Sequence, residues 1–351
     1  KKISTNITKK VADRLQEIFK NDRDQFEKKW DDLKLFINYG MITDEKLYER
    51  AEKFAMFKNT EGKYFTDDEY EKLIKENQAD KIKSLIYLYA SDVEEQYTYI
   101  DGAKNRGYDV LIMDGQLDPH LINHLESKFK DSRFVRVDSD VIDKLIMKDD
   151  KKELTLSYEE QGELRNVFEG AGGESGKFWV QFEEMGAEAA PVVITRSEFI
   201  RRMKDMSAMS GLSGYYGSMP DIVNLVVNVS HPLVKSVIEQ KDQDLAAKIA
   251  ELKAQAEPLQ KDLDGMKKAN EKKKEEEIPQ ADKDKMDELE KSIQELNSQK
   301  ESALKDFGKD HALTKQLIDL ALLANNMLKG EELSKFVKRS VELIKPKSKK
   351  K

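Results

Sequence analysis

The sequence contains no cysteine, which excludes disulfides and thiolate chemistry and leaves a reducing compartment, the cytoplasm, as the expected one. Proline is almost as scarce, seven among 351 residues, so helices meet few breaks. No apolar run approaches the roughly eighteen residues that a membrane-spanning helix needs, and no signal peptide leads the chain. Positive charge is not in excess: the formal net charge of −7 removes the basic field that nucleic acid selects. Recognisable phosphate and metal motifs are missing as well, with no GxGxxG, no Walker-type phosphate loop and no HExxH.

What is present is a charged, helix-prone chain, 37% charged and 38% hydrophobic, long enough for two or three domains. It starts at Lys1 and enters a helical pattern at once, as expected of a piece of a longer protein. Ile3, Ile7, Val11, Leu15 and Ile18 share one face of a first amphipathic helix. Phe26, Trp30, Leu33 and Ile37 share a face of a second, which Gly40 is expected to cap. Thr43 is placed to cap a third helix, and Thr66 with Glu69 forms a capping box for a fourth.

The period changes at residue 85. Leu85–Ala90, Val110–Met113 and Phe134–Val137 read as strands of a small parallel α/β/α unit, separated by one helix from a capping box at Ser91–Glu94 and another over 119–129. Ligands often bind beyond the carboxyl ends of such strands, where Asp114 and Asp138 stand. His120 and His124 are spaced i, i+4 as metal ligands can be, but no third ligand accompanies them, so they read as helix-surface histidines.

After the charged connector 146–157, Phe178–Glu183 alternates as a half-buried strand, with Pro191–Thr195 as its expected hairpin partner and Ile222–Val229 as a third strand. Between them lies a Gly- and Ser-rich stretch containing Tyr215 and Tyr216. Four of the twelve methionines, Met203, Met206, Met209 and Met219, fall here. Such a segment suits an irregular core or an adaptable surface. Over about 243–306 two heptad seams predict an antiparallel helical hairpin projecting into solvent, its first arm kinked or divided at Pro258. Two terminal helices follow, 310–328 and 331–344. The first carries Leu313, Leu317, Leu320, Ala321 and Ala324 inward, the second Phe336 and Val337. The first is apolar nearly all round, which one following helix cannot cover, so self-association into a four-helix bundle is expected. The fold class is α/β in its middle and α+β overall: a helical region 1–84, an α/β/α unit 85–150 and a region 151–351 carrying the hairpin.

The segments 9–19, 109–126, 191–206, 225–237 and 317–324 occur in the order found in the 90-kilodalton heat-shock protein family, which the chain resembles in its bacterial form. The resemblance implies the latter part of that family's middle domain plus its C-terminal dimerisation domain. It places the binding of ATP and Mg outside these residues, with no cofactor and no ATPase activity here. The family's arginine that contacts the γ-phosphate aligns with Ser4, and Lys1 and Lys2 are the neighbouring candidates to replace it. The resemblance also implies client binding by Phe199, Met203, Met206 and Met209, and by the helix beginning at His120 and Leu121, where relatives expose apolar and aromatic groups. Unfolded client proteins, a second copy of the chain and cochaperones are the implied partners, with neither nucleic acid nor membrane. Two other readings stand beside this one: an enzyme using Asp114 and Asp138 as paired acids, and a coiled-coil scaffold built on 243–306.

Overall fold

The computed structural model describes residues 2–148, 153–172, 178–198, 201–203, 223–271 and 278–344, omitting the side chains of residues 2–7 and of Leu343. The chain forms two compact units, one of residues 1–151 and 195–221, the other of 152–194 and 222–351.

In the first unit three helices, α1 (Lys2–Asn21), α2 (Arg23–Thr43) and α3 (Glu45–Ala51), lead into the short pair β1 (Phe57–Lys58) and β2 (Tyr64–Phe65) and helix α4 (Asp67–Ile74). There follow β3 (Leu85–Ala90), α5 (Tyr97–Asn105), β4 (Leu111–Ile112), α6 (Asp118–Lys128), β5 (Ser132–Arg136) and α7 (Ile142–Leu145). The sheet is parallel in the order β4-β3-β5, so β3 is central and all six of its residues are buried. The pleat divides them. Leu85, Tyr87 and Tyr89 join Phe26, Trp30, Phe54, Tyr70 and Phe134 in one core, while Ile86, Leu88 and Ala90 join Ile100, Val110 and Val137 in another. The helical region and one face of the sheet therefore share a single core.

Several local expectations shift. The α1 face is rotated: Ala12 is buried and Val11 is 52% exposed. Helix α2 runs through Gly40, and Asp44 caps α3 in place of Thr43, its carboxylate accepting from the N–H groups of Lys46 and Leu47. Gly40 is small because Leu47 packs against it; a Cβ there would meet Leu47 Cδ2 at 2.2 Å. The Thr66–Glu69 box forms, with Glu69 accepting from the Thr66 N–H at 2.8 Å. At Ser91 the turn is built by Asp92 and Gln96 instead, and α5 starts only at Tyr97.

The second unit comprises α8 (Tyr158–Ala171), strands β6 (Phe178–Glu183), β7 (Val192–Thr195) and β8 (Val223–Asn228), and helices α9 (Pro232–Asn270), α10 (Gln280–Asp310), α11 (Ala312–Ala324) and α12 (Gly330–Ile344). The expected β6–β7 hairpin does not form: β8 lies between them and pairs with β6 in parallel. β8 has only one residue that is not fully buried, as a central strand should, whereas β6 alternates. Asn228, wholly buried, ties the strand end to the loop before β7, accepting from the Met185 N–H (3.1 Å) and donating to the Gly186 carbonyl (2.8 Å).

Pro258 does not divide the first hairpin arm, since α9 is continuous over 39 residues. Nor is the hairpin all projection. Its base is core: Ile249 and Leu304 pack with Leu164, Val167 and Phe168 of α8 and with the sheet. Helices α8 and α10 meet backbone to backbone at two glycines, for a Cβ on Gly170 would stand 2.1 Å from the Lys305 carbonyl oxygen and one on Gly308 1.9 Å from that of Val167. An ionic cluster fixes the same junction. Lys241 of α9 and Glu163 of α8, both under a tenth exposed, pair at 2.7 Å, and Lys300 of α10 reaches Glu163 and Glu159 at 2.9 Å. The hairpin tip, 272–277, lies outside the described residues.

Candidate functional site

Of the methionine-bearing segment, Phe199, Met206, Met209, Met219, Tyr215 and Tyr216 lie outside the described residues; Met203 is helical and half-buried. The polar residues beside Met203 show how that turn is held. Glu198 receives Arg201 at 2.6 Å, Arg202 at 2.8 Å and the Tyr89 hydroxyl at 3.2 Å. Arg202 also donates to Glu126 at 2.6 Å and to the Phe134 carbonyl at 2.8 Å, while the Arg196 N–H donates to the Asp138 carbonyl at 3.0 Å. Burial disfavours the Glu198 charge, yet Arg201 and Arg202 outweigh it and hold the carboxyl below its ordinary range. Sequence reasoning singled out the apolar positions and missed the Glu198–Arg202 anchor; its only signal was the Glu-x-x-Arg-Arg spacing.

On α6 the two named residues part. His120 is exposed, but Leu121 is only 5% exposed and packs inward with Ile122 and Leu125, a correction to its placement on a client-binding surface. His124 stands edge-on to Tyr48, ring centres 5.2 Å apart, and burial, with Lys128 nearby, lowers its pKa. Among the described residues no group of three or more His, Cys, Asp or Glu is placed to hold a metal. The paired-acid reading fares poorly on geometry. Asp114 pairs with Lys34 at 3.0 Å, and Asp138 is clamped by Arg136 at 2.5 Å with Arg196 at 3.6 Å, so each carboxylate answers to its own cation. The scaffold reading is weakened because the hairpin base is part of the second unit's core.

Exposed apolar side chains gather at two places. On α2 Leu35, Phe36 and Tyr39 are 51%, 75% and 60% exposed, an outward set that the sequence conceals because Leu33–Ile37 is apolar on nearly every side. On the terminal helices Leu320 and Leu323 of α11, and Val337, Val341 and Ile344 of α12, are 41–79% exposed. Their spacings, i, i+3 on α11 and i, i+4, i+7 on α12, make one helical seam each. Ala324 is exposed as well and Leu313 half-buried, whereas Leu317, Ala321 and Phe336 are 1%, 6% and 7% exposed. Those last three are core residues within a single chain, not surface available to a second copy. The two helices are joined by Gln316, donating to the Ser340 hydroxyl at 2.8 Å, and by an Asp319–Arg339 ion pair.

A profile of the family described as Hsp90 protein matches residues 1–256. The chaperone protein HtpG of Bacteroides fragilis is 51% identical over 346 residues, 98% of this chain and 51% of that protein. The HtpG proteins of Bacteroides thetaiotaomicron and Porphyromonas gingivalis are 51% and 46% identical, again over 98% of this chain and 51% of theirs. The chain thus spans about half the length of the curated relatives it matches. The Bacteroides and Porphyromonas alignments run through the hairpin, which is therefore shared with these relatives. The side chain of Ser4, the position aligned with the γ-phosphate arginine, lies outside what the structure describes, as do Lys1 and the side chain of Lys2, the candidates to replace it.

Proposed function

The chain belongs to the Hsp90 protein family, and from that premise we propose that it is the client-binding and dimerising part of an ATP-dependent molecular chaperone acting in the cytoplasm. In this reading ATP and Mg act outside these 351 residues, and closure driven there brings two copies of this chain around a partly folded client. Cochaperones would meet the same assembly. The supporting observation for dimerisation is the outward seam of Leu320, Leu323, Val337, Val341 and Ile344. A seam on two consecutive helices is matched by its own copy across a two-fold axis, giving a four-helix bundle with the apolar faces inside. The exposed Leu35, Phe36 and Tyr39 supply adaptable apolar surface of the kind that unfolded segments bind.

Light scattering at micromolar concentration tests the assembly. The parent chain is expected to be a dimer, and the exposed-seam variant Leu320→Asp with Val341→Asp a folded monomer with unchanged far-UV circular dichroism. Leu317→Asp, which strikes the core, should instead unfold the second unit. A monomeric parent would remove the architecture. Client binding is read separately, by suppression of aggregation of a thermally denatured enzyme; Phe36→Ser with Tyr39→Ser should weaken it, and unchanged suppression would discard that surface.

A further inference from the structure

Two cavities of the first unit meet at a buried amide. One, about 430 Å³, has an apolar wall of Met41, Met56, Leu125 and Phe129; the other, about 380 Å³, opens toward Trp30 and Met113. Asn38 lines both. It is 7% exposed and lies where the two cavities adjoin. An amide offers two donors and an acceptor to whatever occupies those cavities.

The mouth of the larger cavity is acidic. Glu52, Asp67 and Asp68 all line it, and among the described residues none of the three has a cationic partner; Asp67 receives only the Tyr87 hydroxyl, at 2.9 Å. Of the two lysines on the same rim, Lys128 is already taken by Glu45 at 2.6 Å and lies over the Tyr48 ring, which leaves Lys53 alone. Burial above all, then the repulsion of Glu71, Asp68 and Glu52, pushes the Asp67 carboxyl up to about 6 against the hydrogen bond from Tyr87. An uncompensated carboxyl cluster over an apolar wall is complementary to one kind of guest.

We propose that this cavity is a binding site for a small organic cation with an apolar body, its body against Met41, Met56, Leu125 and Phe129, its ammonium at Glu52, Asp67 and Asp68, and a polar group on Asn38. The volume suits a bicyclic aromatic with a short arm. This assignment does not rest on the chaperone reading, because it uses only the cavity and its charges.

Three indoles of one shape test it on the full chain: tryptamine, neutral tryptophol and anionic indole-3-propionate. Titrations are followed by calorimetry and by the methyl resonances of Met41 and Met56, which report from the cavity wall. Tryptamine should shift both methyls and bind about tenfold tighter than tryptophol, with no binding of the propionate, a ratio expected for a partly desolvated charge pair. Glu52→Gln with Asp68→Asn, both at exposed positions, should reduce that preference to near unity while leaving the melting profile unchanged. Asn38→Leu should fill the junction and weaken all binding; if that variant fails to fold, the acid variants carry the test. Equal binding of the three indoles, methyls of Met41 and Met56 that stay still, or a Trp-Lys peptide that binds where tryptamine does not, would each overturn the proposal.

Discussion

Replacing Gly308 by alanine tests how the second unit is held together. In most helix interiors this change stabilises by about 0.8–1 kcal/mol, because alanine loses less backbone freedom on folding. At Gly308 the new Cβ would stand 1.9 Å from the carbonyl oxygen of Val167, where the least tolerated approach is 3.0 Å. The obstacle is the backbone of the facing helix, which no rotamer change clears. Helices α8 and α10 must therefore separate by roughly 1 Å, loosening Leu164, Val167 and Leu304 together. Overpacking of this kind costs about 1–3 kcal/mol, more than the propensity gain returns. We expect Gly308→Ala to lose about 2 kcal/mol net, a fall in Tm of about 4–8 °C for a unit of this size, and Gly170→Ala to behave alike. The control lies in α8 itself. Gly162 has nothing within 4 Å of its would-be Cβ, so Gly162→Ala should raise stability by about 1 kcal/mol. Thermal and urea unfolding followed by circular dichroism read both signs. A Gly308→Ala chain that melts at or above the parent would refute the close crossing.

Lys241→Met leaves Glu163 with one of its buried partners gone and should cost about 3 kcal/mol in urea unfolding; a companion Glu163→Met change should restore much of it, since the remaining charge is removed. Asn228→Ala deletes a buried acceptor for the Met185 and Ser230 N–H groups and a donor to Gly186, and should lower stability by about 3 kcal/mol, seen as early melting of the second unit. Glu159 has its carboxyl held down to about 2 by Lys253 and Lys300. A depressed carboxyl contributes stability above its unfolded value of 4.5, and that contribution disappears as pH falls toward 2. Acid titration of the melting temperature should therefore be shallower between those values in Glu159→Gln than in the parent.

Legibility differed between elements, and the reason is the range of the forces involved. The strands at 85, 111 and 132 and the capping box at Thr66 were visible because a hydrophobic period or a cap is written within ten residues. The hairpin expected between β6 and β7 failed because proximity in sequence is a weaker rule than burial. β8 is apolar on both faces and claims the central place, a clue present in Val223–Val227 itself. The candidate site was read unevenly for the same cause. An apolar pattern marks Leu121, Leu317, Leu320 and Val337 alike, and only the packed chain separates Leu121 and Leu317, used inside it, from Leu320 and Val337, left outside.

What the sequence determined by itself is the class of molecule: a cysteine-free, acidic, helix-rich chain with a parallel α/β/α unit, a long helical hairpin and two terminal helices, in the segment order of a chaperone family. These follow from composition and local period, which each residue carries wherever it ends up. Tertiary structure alone decided that the turn carrying Met203 is anchored by Glu198, Arg201 and Arg202, that Gly170 and Gly308 set a helix crossing, and that Asn38 lines a cavity shared with Glu52, Asp67 and Asp68. Each of these joins residues distant in sequence, and whether a charge is answered or an amide satisfied depends on which side chains the fold brings within about 3 Å.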